Sequence, residues 1–251
     1  MAKLYSLGFD SAELGWFYDQ ILPRTWGEHE LSKNAGFVQA LFGTPWKPQA
    51  GWGKALFDSA LESQPCISEP PGFGILHPGS RWATKRWDKY PELLEALLSN
   101  SARLSPWNRL RWVITGDSED QNLFGGHFAR FEGNPRVDVR LGRVSLREFL
   151  GLCRRASLMM TNDSFPTHVA GCFDVPCLTV FGPTVPAQGF GPSSTQSAVV
   201  ERTELGCRPC GAHGHRRCPL SHFGCMKQIS VDQVLSVLET LPIQGQNGTG
   251  P

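Results

Sequence analysis

From Phe73 onward, short apolar runs alternate with longer amphipathic stretches, and each run ends in a turn. Residues 73–76 form the first run, which stops at His77-Pro78-Gly79-Ser80. Residues 111–116 form a second, 137–140 a third, 158–161 a fourth and 177–181 a fifth. Runs of four to six residues bounded by Gly, Pro and Asp read as strands buried on both faces. Between them the spacing predicts helices. One opens at Pro91, a residue tolerated in a first helical turn. A second starts at the capping box Ser145-Leu146-Arg147-Glu148 and runs to about Arg155. A third opens at Asp163-Ser164 and extends to about Cys172. The last starts at the capping box Ser230-Val231-Asp232-Gln233 and carries Val231, Val234, Leu235 and Leu238 on one face. Strand and helix in alternation predict an α/β fold, a mostly parallel sheet with helices on both faces.

Residues 1–71 are less regular. A helix is expected over 31–42, where Leu31, Phe37, Val38, Leu41 and Phe42 make an approximate apolar face. Trp16, Trp26, Trp46 and Trp52 are spread through sequence rich in Pro and Gly, with no strand–turn–helix opening. Residues 68–72 read as a linker. The expected division is therefore 1–71, then a sheet-bearing domain over 72–243, then a frayed Gly-rich tail over 244–251.

The 24 basic and 23 acidic residues leave a formal charge of +1, so nothing global draws the chain toward nucleic acid or anionic lipid. No apolar stretch approaches the roughly 18 residues that would span a bilayer. The first residues lack the apolar segment of a signal peptide. A cytoplasmic location is the expectation.

In a doubly wound sheet, ligands bind at the carboxyl ends of the strands, near the point where strand order reverses. Three strand ends carry suitable chemistry. After the first, Gly79 allows close backbone approach, Ser80 can donate to a phosphate oxygen, and Lys85 and Arg86 precede a helix. After the fourth, Asp163 and Ser164 stand at a helix N-terminus, where free N–H groups favour anions, and His168 lies about one turn further on. After the fifth, Gly182 and Thr184 can offer an N–H and a hydroxyl. Each also has a plain reading: a solvated basic loop, an N-cap, a strand-ending turn.

Eight cysteines are many for 251 residues. Cys66, Cys153, Cys172 and Cys177 lie among apolar residues and read as small buried hydrophobes. Cys207, Cys210, Cys218 and Cys225 cluster, beginning with a CxxC pair. Their spacing allows a structural zinc, with His213, His215 and His222 as spare ligands. Reduced thiols packing a loop, and redox or disulfide use, are the competing readings. Arg202, Arg208, Arg216 and Arg217 in the same region could face an anionic acceptor or simply solvent.

Taken in order, His77-Pro78-Gly79-Ser80, Lys85-Arg86-Trp87, residues 144–148, Thr161-Asn162-Asp163-Ser164, His168, Ala170 and Phe181-Gly182-Pro183-Thr184 resemble glycosyltransferase family 9, which includes the ADP-heptose:lipopolysaccharide heptosyltransferases. The resemblance covers roughly 72–242, and residues 207–226 also look like many members. It implies a GT-B fold whose Rossmann-like C-terminal domain holds a nucleotide-sugar, commonly ADP-heptose. Residues 1–71 would then be the last part of an incomplete acceptor-binding N-terminal domain. Ser80 and Lys85 would contact phosphate, Val144 would lie near adenine, and Asp163 and Ser164 would meet the sugar and diphosphate. The implied reaction is transfer of a heptose with inversion to a lipopolysaccharide core acceptor, with no metal required for the chemistry and peripheral contact at the inner membrane.

The sequence also departs from the family pattern. The family's general base is an aspartate early in the N-terminal domain. Asp10 follows Gly8-Phe9 without an apolar strand before it, so no catalytic residue is assigned. Phe165 stands where the family usually has glycine, Thr167 where it often has methionine, and Val185 replaces an aspartate. A bulky Phe165 would narrow the approach to phosphate or sugar. Alternatives are therefore a non-catalytic nucleotide-sugar-binding module, a truncated enzyme, a metal-stabilised interaction module built on residues 207–225, and a nucleotide-sugar epimerase of similar GT-B architecture.

Overall fold

A computed structural model describes residues 6–11, 18–25, 27–54, 57, 72–99 and 101–241. Trp16, Trp26, Cys66, the linker expected over 68–71 and the tail over 244–251 lie outside them. The chain divides into two compact units, one of residues 1–49 with 186–191 and the other of residues 50–185 with 192–251.

The smaller unit holds strands β1 (Leu7–Phe9) and β2 (Gln20–Leu22), paired in parallel, and helix α1 (Glu30–Phe42). The expected helix is there, and its opening has a physical cause. His29 is the N-cap, and its Nδ1 accepts the N–H of Leu31 at 3.1 Å. Gly43, left-handed at φ 69°, ends the helix. The β1 strand corrects the reading that no strand precedes Asp10. Three residues, one of them a glycine, were too short a run to show an alternation.

The larger unit is built on β3 (Phe73–His77), β4 (Arg111–Gly116), β5 (Val137–Leu141), β6 (Leu158–Asn162), β7 (Cys177–Val180) and β8 (Ser197–Val200). All pair in parallel, in the order β5-β4-β3-β6-β7-β8. The chain winds outward one way from β3 and the other way from β6, so the order reverses between these two strands. There His77 stands opposite Thr161.

Side-chain alternation divides the core cleanly. Leu76, Trp112, Ile114, Met160, Leu178 and Val180 point to one face. There they meet helices α2 (Tyr90–Leu98), α3 (Ser118–Phe128), α6 (Gly224–Lys227) and α7 (Val231–Leu238). Phe73, Ile75, Val113, Met159 and Cys177 point to the other, against α4 (Leu146–Arg155) and α5 (Phe165–Phe173). Sheets covered on both sides need apolar residues at every central position, which is why these strands read as unbroken runs. Both expected capping boxes form, at Ser145–Glu148 and Ser230–Gln233.

Candidate functional site

The carboxyl ends of β3, β6 and β7 bring the expected residues to one edge of the sheet. The loop after β3 turns back at residues 83–85 and presents Lys85, whose Nζ lies 2.5 Å from Asp163 Oδ2. Asp163 directly follows β6. The same carboxylate oxygen accepts the Thr184 hydroxyl from the turn after β7. Three strand ends thus converge on one oxygen. The side chains of Lys85 and Asp163 are 10% and 4% exposed, so this is a buried ion pair that a neutral hydroxyl completes. A lysine ammonium has three donors, and one of them is directed at Asp163.

Asn162 holds the turns in register. Its Nδ2 donates to the Pro78 carbonyl at 2.6 Å, and its Oδ1 accepts from the Trp87 N–H at 3.2 Å and the Tyr90 hydroxyl at 3.3 Å. Asn162 is fully buried. It was visible in the sequence only as part of a motif, because an amide that braces two turns has no signature apart from the turns themselves.

Ser164 is the N-cap residue of α5, but its side chain makes no capping bond. Its hydroxyl instead lies 3.3 Å from the carbonyl oxygens of both Gly79 and Asn162, which share its single proton as acceptors. The simple N-capping reading therefore does not hold for it. Ser80 is buried beside these groups, and its carbonyl accepts the Arg86 Nε at 2.7 Å. Arg86 also pairs with Glu119 at 2.7 Å, so its guanidinium is shared between the Ser80 carbonyl and that carboxylate. His168 lies half-buried within α5. Val144 packs on the core beneath α4 and α5. Gly182 and Thr184 are buried.

A second group lies at the ends of β3 and β4. His77 Nδ1 is 3.0 Å from Thr115 Oγ1, and His77 Nε2 is 4.0 Å from Asp120 Oδ2. Burial pushes the His77 pKa down to about 4, against the pull of the Asp117 carboxylate. Burial also raises the Asp120 pKa, which its bond from the Asp117 N–H partly opposes. The His77 ring meets Phe149 at 5.5 Å between centroids, and Phe149 meets Phe165 at 6.3 Å. Phe165 is 56% exposed at the start of α5. Asp120 was not singled out from the sequence, because its place beside His77 appears only when the fold sets α3 against the end of β3.

The four cysteines of residues 207–225 come to one place. Cys207, Cys210, Cys218 and Cys225 carry free thiols and line one pocket with His215 and His222. Among the described residues, no three His, Cys, Asp or Glu side chains stand together as a ligand set for a metal ion. Cys225 is drawn into the core beside Met226, and its pKa is pushed up to about 11, chiefly by burial. His222 uses its Nδ1 to accept the Gly224 N–H at 2.9 Å. Arg208 is not available to an acceptor either. Its side chain is 3% exposed, with Nη2 2.6 Å from Glu201 Oε2. Arg216 and Arg217 are exposed, while Arg202 is held by Glu204 and the Gln228 carbonyl.

Asp10 follows β1, and its Oδ1 accepts the Arg24 N–H at 3.1 Å. The carboxylate thus ties the chain after β1 to the chain after β2, and no catalytic role is assigned to it.

The model of glycosyltransferase family 9 (heptosyltransferase) matches residues 1–220. The chain belongs to this family. Two curated relatives are similar to this glycosyltransferase family 9 chain. Lipooligosaccharide heptosyltransferase 2 of Campylobacter jejuni is 33% identical over 167 residues, covering 66% of this chain and 50% of the relative. Lipopolysaccharide heptosyltransferase 1 of Pseudomonas aeruginosa is 28% identical over 200 residues, covering 77% of this chain and 50% of the relative. The chain therefore spans about half the length of the curated relatives it matches. Among solved structures, E. coli ADP-heptose lps heptosyltransferase II aligns with a TM-score of 0.63 at 18% identity, over 93% of this chain and 68% of that one. E. coli heptosyltransferase WaaC with ADP aligns with a TM-score of 0.64 at 17% identity, over 90% and 60%. At these identities the solved structures speak for the fold alone, which is α/β of GT-B type.

Proposed function

We propose that this family 9 chain carries the donor site of a heptosyltransferase. It would bind ADP-heptose and serve transfer of the heptose to a lipopolysaccharide core acceptor. The observation that carries this reading is the convergence of Lys85, Asp163 and Thr184 at the carboxyl ends of β3, β6 and β7, where strand order reverses. A diphosphate placed there would meet the remaining donors of Lys85, the Ser80 hydroxyl and the N-terminus of α5, which the Ser164 side chain leaves uncapped. As the glycosidic bond to ADP breaks, charge grows on the leaving diphosphate, and fixed donors of this kind stabilise it. The names of the curated relatives support heptose as the sugar. With this reading comes a cytoplasmic place of action, with peripheral contact at the inner membrane. Among the described residues, no helix is long and apolar enough to cross a membrane.

A second reading, binding without transfer, is favoured by Phe165, whose exposed ring stands at the start of the helix that would face the donor. A chain that binds ADP-heptose yet consumes none in the presence of a core acceptor would support it.

The test is calorimetric titration with ADP, UDP and GDP, with Lys85→Ala in parallel. Selective ADP binding is expected, weakened in the variant by about 1.5–3 kcal/mol, the range of a charge-assisted hydrogen bond. Equal affinity in wild type and variant would remove Lys85 from the site.

A further inference from the structure

The cysteine-rich segment is fastened to both turns that carry the candidate donor residues. At the first turn, the Thr84 hydroxyl donates to the His215 carbonyl at 2.7 Å and accepts the His215 N–H at 2.8 Å. The Thr84 N–H adds a third bond to the same carbonyl at 3.1 Å. Thr84 is the residue before Lys85. At the second turn, the Cys210 N–H donates to the Pro183 carbonyl at 2.6 Å. The main fastening is Arg208. Its Nε donates to the Gly182 carbonyl, its Nη2 to the Thr184 carbonyl at 2.8 Å, and its Nη1 to the Arg202 carbonyl at 2.7 Å. Glu201 completes its surroundings.

Gly182 and Thr184 flank Pro183, so one guanidinium grips the turn after β7 on both sides. That grip fixes the direction of the Thr184 hydroxyl, which lies on Asp163 Oδ2 beside Lys85. A planar fork of five donors can serve three carbonyls and a carboxylate together, and an ammonium on a flexible stem cannot.

We propose that Arg208 is a positioning residue of the donor site: it holds the Gly182–Thr184 turn so that Thr184, Asp163 and Lys85 meet in the arrangement that receives a diphosphate. The proposal rests on the donor-site reading above. None of these four bonds reaches Lys85 or Asp163, so the influence of Arg208 on a ligand passes through the turn.

The experiment measures ADP affinity and thermal unfolding for the full chain and four variants: Arg208→Gln, Arg208→Lys, Glu201→Gln and Lys85→Ala. Arg208→Gln is expected to weaken ADP binding about tenfold at temperatures where it is folded, the scale of one or two lost bonds to a charged donor. Arg208→Lys keeps the charge and the stem, and so reports where Gln fails to fold; the same loss is expected. Glu201→Gln removes the ion pair but leaves the three carbonyl bonds. It should unfold at lower temperature while its ADP affinity stays within about twofold of wild type, a difference below 0.5 kcal/mol. A purely structural role for Arg208 would not separate these two readouts. If Arg208→Lys binds ADP as wild type does while Lys85→Ala loses affinity, Arg208 does not position the site. If Lys85→Ala also binds normally, the donor-site reading falls and this proposal falls with it.

Discussion

At the residue scale, the Lys85–Asp163 pair dominates the candidate site, and its burial makes it costly to break on one side only. Removing one partner of a buried pair typically costs about 3–5 kcal/mol, because the other charge is left without compensation. Lys85→Ala should therefore destabilise the chain as well as weaken ADP binding. Adding Asp163→Asn removes the stranded charge and keeps an acceptor for the Thr184 hydroxyl. The double variant is expected to recover about 2 kcal/mol of the lost stability, since a neutral amide is far cheaper to bury than a lone carboxylate. ADP affinity should stay low in both, because neither has the cation. Denaturant titration of wild type, single and double variants measures this directly. No recovery would mean that solvent already reaches Asp163 when Lys85 is absent. Lys85, Asp163 and Thr184 could be chosen from sequence because phosphate chemistry needs such residues after strands. Their mutual bonding could not, because residues 78 positions apart meet only after the sheet has formed.

At the element scale, the turn after β3 depends on a glycine for reasons of space. A Cβ on Gly79 would come within 2.0 Å of Asp120 Oδ2. Asp120 has little freedom to retreat. It is 5% exposed, and its carboxylate closes the capping box of α3 by accepting the Asp117 N–H at 3.0 Å. Gly79→Ala is expected to lower stability by about 1–3 kcal/mol, the usual cost of overpacking, with a further loss from the opened cap. An unchanged unfolding midpoint would show that the turn moves aside without cost. The central strands and the two helices opened by Ser-x-x-Glu and Ser-x-x-Gln capping boxes, α4 and α7, were legible, because burial on both faces and reciprocal caps of that type each leave a local pattern. By contrast α3 was not. Gly125 and Gly126 interrupt its apolar positions, and only Phe124 and Phe128 reach the core as large residues. The four-residue edge strand β8 was also missed, because it pairs only with β7 and its pattern is half-buried. Arg208 read as one of several basic residues near an expected acceptor, and only the long-range fold turns it inward.

At the scale of the whole molecule, the near balance of 24 basic and 23 acidic residues shapes how the protein responds to acid. With so little net charge there is little overall self-repulsion near neutral pH, so individual buried groups decide the slope of stability against pH. His77 is the group to watch. Its pKa falls from 6.5 in the unfolded chain to about 4 in the folded one, so the unfolded state takes up a proton first as pH drops. Stability contributed by the neutral ring is therefore fully present above pH 6.5 and is lost between about 6.5 and 4, by at most about 3 kcal/mol at 1.36 kcal/mol per unit. The side chain is 16% exposed, which makes that figure an upper bound. Three neighbours act on it. Thr115 holds Nδ1, the Asp117 carboxylate favours the protonated ring, and Asp120 lies 4.0 Å from Nε2. Asp120 works in the opposite direction. Its raised pKa means that the folded state binds its proton more readily than the unfolded state does, so it adds stability as pH falls. The net expectation is a decline in unfolding midpoint from pH 6.5 to about 4.5 that flattens in His77→Gln, whose amide can keep a bond to Thr115 without titrating. If the decline is the same in His77→Gln, the acid response belongs to other groups, and His77 takes up its proton at the same pH whether or not the chain is folded.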